Sequence, residues 1–177
     1  MNHAFAWLLR KIDLLNRLGG WISAAAVLVV TLLAVITALA RSANLGSNAL
    51  LELQWYLFSL IFLLAAGWTL QQDQHVRVDV LAKRWSPRSR LWIDIIGHGL
   101  VLLPVASVLM WLGLKHAIAQ YLSGEMSADA GGLIRWPVWA LIPLGFMLLI
   151  LQTLADMARK IQQLRSTAVV SGQINHE

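Results

Sequence analysis

The sequence predicts an all-α integral membrane protein with four transmembrane helices and a short N-terminal interfacial helix. Three observations carry that expectation. Of the 177 residues, 58% are hydrophobic and 13% charged, where an ordinary soluble domain carries about 25% charged residues. Four runs without Asp, Glu, Lys or Arg occupy residues 18–40, 53–72, 95–114 and 136–155. Each has the length, about 20 helical residues, that crosses a hydrocarbon core of roughly 30 Å. The third observation is charge placement. Eleven basic residues lie before residue 18, in 73–94 and after 155, against three (Arg41, Lys115 and Arg135) in the other two connections. By the positive-inside rule both termini are cytoplasmic and segments 41–52 and 115–135 face outward.

These runs leave only short connections, so the chain reads as a single membrane domain over 1–177 with no room for a separate soluble catalytic domain. No enzyme is expected. The chain has no cysteine, which removes disulfides, thiolate metal sites and catalytic thiols. The net charge of +5 is a topology signal and an attraction for anionic lipid, and it requires no nucleic acid.

Taken in order, residues 4–17 place Phe5, Leu8, Ile12 and Leu15 on one stripe, with Arg10, Asp13 and Arg17 opposite. This pattern predicts an amphipathic helix lying in the cytoplasmic interface. Ala38-Leu39-Ala40 resembles a cleavage site, but the preceding run exceeds the roughly 7–15 apolar residues of a signal peptide. Span one is therefore expected to be retained. Span two is expected to begin after Asn48 with Glu52 in its first turn, where a carboxylate complements the positive helix terminus. Trp21, Trp55, Trp68, Trp92, Trp111, Trp136 and Trp139 fall at or near run ends, where indoles favour the membrane interface. Pro104 and Pro143 sit inside spans three and four and predict bends. Residues 166–177 read as a flexible tail.

Few residues offer chemistry. Ion-coupled carriers usually keep ionisable groups in the bilayer, and here His98 is the only one within a run. Asp94, one helical turn earlier, is placed to accept its N–H. Asp73-Gln74-His75-Val76-Arg77-Val78-Asp79-Val80 is the densest polar segment. As a helix it puts His75 and Asp79 on one face; as a strand it alternates His, Arg and Asp against valines. A metal site needs further ligands that the segment lacks, so no metal, catalytic or cofactor-binding residue is expected. Bis-histidine haem is a poor fit, because His75 and His116 lie outside the runs. Glu125 and Asp129 in the outer loop are candidates for contact with an external partner.

Three ordered blocks carry a family resemblance. The first runs from Arg41 through Asn44, Gly46, Ser47, Ala49, Glu52, Gln54 and Trp55 to Phe58. The second is HVRVD at 75–79. The third is Gly131-Gly132-Leu133-x-Arg135-Trp136 followed by Ile142-Pro143-Leu144-Gly145-Phe146 and Gln152. Together they resemble the small membrane subunit of TRAP (tripartite ATP-independent periplasmic) transporters, over roughly residues 20–155. Ile134 departs from the pattern, which has proline there. The resemblance implies a bacterial inner-membrane uptake system for organic anions, in which a periplasmic binding protein delivers substrate to a large membrane subunit carrying the substrate and sodium sites. This chain would scaffold that subunit and hold no cofactor of its own. Glu52, Gln54, Trp55, His75, Arg77 and Asp79 are carried over as motif positions for assembly, and Glu125 and Asp129 as a binding-protein docking surface. The competing expectation is a self-sufficient, homo-oligomeric small exporter, which would want an embedded carboxylate that the runs lack.

Overall fold

The computed structural model describes residues 3–72, 86–129 and 132–174, with the backbone alone for 87 and 167–174. Helix α1 spans His3–Ser42 and α2 spans Asn48–Gln71. The third crossing is α3 (Pro87–Gly97), a π-helical turn (His98–Leu102) and α4 (Leu103–Ser123) in succession. Helix α5 spans Trp136–Ile174. Among the described residues four helical stretches are long and apolar enough to cross a membrane: His3–Ser42, Asn48–Gln71, Arg88–Ser123 and Trp136–Ser166. The HVRVD segment lies outside the described residues.

Local chemistry explains the ends. Asn44, with φ 59°, turns the chain after α1, and Gly124, with φ 61°, does so after α4. Both left-handed positions suit the residues found there. At the start of α3 the Ser86 hydroxyl accepts the Ser89 N–H, and Pro87 occupies the first turn, where no donor is required. The wide turn 98–102 immediately precedes Pro104, which has no N–H to give to the helical ladder.

Two elements run further than the apolar runs. Residues 4–17 are helical as expected, but no break separates them from span one. Leu9, Ile12 and Asn16 are buried in this segment, while Leu8 and Leu15 are half exposed. Leu9 and Ile12 pack against Ala155 of α5. The segment is thus continuous with α1 and packs on α5. Helix α5 likewise continues to Ile174, so most of the expected tail is helical. At 1.5 Å per residue, 39 residues extend roughly 58 Å, well past the hydrocarbon core.

The helices form a row, α1–α2–α5–(α3, α4), with α5 inside it. Leu70 of α2, Ala106 of α4 and Leu149 of α5 meet in one cluster. In lipid, apolar side chains gain little by leaving one hydrocarbon environment for another, so close approach at small residues sets helix contacts. A Cβ at Gly145 would lie 2.7 Å from the Leu63 carbonyl oxygen, and one at Gly113 would lie 3.3 Å from Pro143 Cδ. Gly19, Ser23 and Ala26 form the corresponding buried stripe on α1.

Replacing Gly145 by Val forces α2 and α5 apart. Overpacking typically costs about 1–3 kcal/mol, so the purified protein should melt at a lower temperature in detergent. Gly97→Ala, where the added methyl meets nothing within 4 Å, is the matched control. Equal melting of the two variants would show that the crossing does not depend on this glycine.

Candidate functional site

Polar side chains gather toward the two ends of the helix bundle. At the end bearing the chain termini, Asn16 is fully buried and donates through Nδ2 to Gln152 Oε1 at 2.9 Å and to the Ile12 carbonyl at 3.1 Å. Its Oδ1 lies against Gly67 of α2, where any Cβ would overlap it. Gln152 donates to Asp13 at 3.3 Å, and Arg159 binds both Asp13 oxygens at 2.6 and 2.7 Å. One continuous set of bonds therefore joins the α1 extension to α5.

A second set joins α3 to α5. Lys160, with a side chain only 10% exposed, contacts Asp94 at 2.9 Å and Asp156 at 2.7 Å. Asp156 also approaches His98 Nδ1 at 3.3 Å. The expected Asp94–His98 pair is thus replaced by two partners on α5. The reason is geometric: α3 turns this face toward α5, where Lys160 and Asp156 compete successfully for both groups. Asp13, expected on a solvated face, is likewise turned inward by Arg159.

At the other end, Glu52 falls just past the first turn of α2, not within it as expected, and reaches the loop between α4 and α5 instead of its own helix terminus. Its Oε2 accepts the Leu133 N–H at 2.8 Å, and the Tyr56 hydroxyl donates to the Ile134 carbonyl at 3.2 Å. The described loop residues also bond to one another. Ser127 N–H bonds the Leu133 carbonyl at 3.0 Å, Arg135 N–H bonds the Glu125 carbonyl at 3.2 Å, and the Arg135 guanidinium pairs with Glu125 at 2.9 Å. Gln54 faces the opposite neighbour, donating to Thr37 of α1 at 2.9 Å. Trp55 is 73% exposed and stands on the rim of an open cleft of about 720 Å³ between α2 and α5.

The structure thus brings Glu52 together with Leu133, Tyr56 and Ile134, and Glu125 with Arg135, while Gln54 works on α1 and Trp55 faces outward. Sequence reasoning missed Asn16, Asp13, Asp156, Arg159 and Lys160. The signal available for them was the polar positions 13 and 16 on one extended helix and 152, 156, 159 and 160 on another, spaced to share faces. Among the described residues no group of three His, Asp or Glu is arranged to hold a metal.

Replacing Lys160 by Met leaves Asp94 and Asp156 facing one another without their shared cation. Breaking a buried pair in this way costs roughly 3–5 kcal/mol. Arg159→Ala, at a position a third exposed, should cost about 1 kcal/mol or less. Thermal unfolding in detergent should rank the two variants in that order, and the reverse order would show that the Lys160 cluster does not hold α3 on α5.

Comparison with protein families returned one described as tripartite ATP-independent periplasmic transporters, DctQ component, matching residues 27–163. Neither curated proteins nor solved structures gave a match. The matched stretch takes in Glu52, Arg135 and Gln152, and with them the loop end and half of the terminal network. The chain belongs to the DctQ component family of the tripartite ATP-independent periplasmic transporters.

Proposed function

We propose that this chain is the small membrane subunit of a sodium-coupled, binding-protein-dependent uptake system for organic anions in the bacterial inner membrane, and that it scaffolds the large transport subunit. The observation that carries the reading is where the polar groups are. The four apolar runs contain no Asp, Glu, Lys or Arg, and the ion pairs described lie beyond the ends of those runs, apart from His98 just inside one of them, where most fasten one element of this chain to another. A carrier that moved ions by itself would need ionisable groups at membrane depth. Family membership supplies the transport context; coupling to sodium and recognition of substrate then belong to the large subunit and the binding protein.

Purification of the tagged chain from its native membrane in gentle detergent should recover a many-span membrane protein in near-stoichiometric amount. Alanine at His75, Arg77 and Asp79, proposed to stabilise assembly, should lower that recovery. A homo-oligomer of this chain alone, after controls for detergent stripping, would favour the exporter reading instead.

The charge asymmetry supports cytoplasmic termini and an outward loop 115–135, with Glu125 and Asp129 presented to the binding protein. Glu125 is committed to Arg135, so Asp129 is the cleaner position to test. In this cysteine-free chain a single Met126→Cys should react with a membrane-impermeant maleimide from the periplasmic side. Asp129→Lys should alter the dependence of uptake on binding-protein concentration. Labelling only from the cytoplasmic side overturns the topology, and an unchanged dependence overturns the docking role.

A further inference from the structure

The cleft between α2 and α5 has a shape that the assembly of the chain does not use. Its floor is the close approach of Leu63 and Gly145, and its lining continues from there to the outer loop. That loop, tied down by Glu52 and Tyr56, forms the roof. From Glu52 to Leu63 the wall runs eleven residues, or about 16 Å by helical rise. That is close to half of a hydrocarbon core of roughly 30 Å: the cleft is one leaflet deep.

Its lining changes character along this depth. Arg135, Asp129 and Glu52 stand at the roof, Trp55 and Trp139 come next, and Leu63 and Ile142 close the bottom. Charged, then aromatic, then aliphatic is the order in which a leaflet presents headgroup, interface and acyl chain. The charges also discriminate among headgroups. One guanidinium and two carboxylates line the roof, so a purely anionic headgroup would meet uncompensated negative charge. A zwitterion can set its phosphate on Arg135, which has donors beyond the one spent on Glu125, and its cation on Glu52 or Asp129.

We propose that the α2–α5 cleft is a binding site for one phospholipid with a zwitterionic, primary-ammonium headgroup, its phosphate held by Arg135 and one acyl chain lying between the two helices. The site is independent of the transport reading, since it requires only that the chain sit in a bilayer. Its occupant wedges the two helices apart where the loop bridges them.

The test uses the full chain, purified in mild detergent, delipidated and exposed to phosphatidylethanolamine, phosphatidylcholine or phosphatidylglycerol, with binding read by native mass spectrometry. One phosphatidylethanolamine per chain is expected. Phosphatidylcholine, which cannot donate an N–H, should bind about tenfold more weakly, the equivalent of losing one charge-assisted hydrogen bond. Ser59→Trp, which fills the cleft, should abolish retention, while Phe62→Trp, on an outward position 76% exposed, should not. Equal binding of the three lipids, no binding at all, or retention by Ser59→Trp overturns the proposal. A photoreactive group at position 59 in intact membranes provides a check that does not depend on detergent. Crosslinks to phospholipid support the site, and crosslinks to a polypeptide assign the cleft to a partner subunit instead.

Discussion

Helix α5 is the element on which the remaining contacts depend, and the constraint acting on it is that lipid offers no general hydrophobic drive for helices to associate. What remains is dispersion at close range and hydrogen bonding between groups that have no water. The fold uses the first in the middle of the membrane and the second at its edges. Gly145 lets α2 come against α5, Gly113 admits Ile142 and Pro143 from the other side, and Ala106 completes the contact among three helices. Because α5 is flanked on both sides, its backbone is the reference against which the other spans are positioned.

The polar edges then fix what packing leaves free. Apolar helices in contact can slide or rotate with little penalty, whereas a buried amide or ion pair is satisfied in only one register. Asn16 and Gln152 are fully buried, and Lys160 stands between two carboxylates from different helices. At the loop end Glu52 performs the same service for a stretch of irregular backbone by accepting an N–H that would otherwise need water. The two ends thus define helix positions, and the apolar middle follows.

Much of this was legible in the sequence, but unevenly. Span positions follow from run length, because a bilayer of fixed thickness imposes a minimum on each helix. The contact faces did not follow from hydrophobic periodicity, since both sides of a lipid-facing helix are apolar. The stripe Gly19, Ser23, Ala26 on α1 shows that residue size was the informative variable. Partners across helices were the least accessible. Asp94 and His98 are spaced as a local pair, yet each is taken by α5, because side-chain partners depend on crossing geometry that no single helix encodes. Glu52 stands out in the sequence as a motif position, but its hydrogen-bond partner lies 81 positions away, beyond any local rule.

The π-helical turn at His98–Leu102 has a consequence for rotational phase along the third crossing. At 3.6 residues per turn each residue advances by about 100°, so the eight positions from His98 to Ala106 would leave the two roughly 80° apart on an ideal helix. A wide turn absorbs one residue, bringing the difference to roughly 20°. His98 and Asp94, with their partners on α5, therefore point the same way as Ala106 and Gly113, which pack on the same helix. Without that extra residue the charged segment and the small-residue segment would address different directions, and a single straight neighbour could not meet both. The turn before Pro104 is a phase correction, placed at the boundary between the part of the helix that is bonded and the part that is packed.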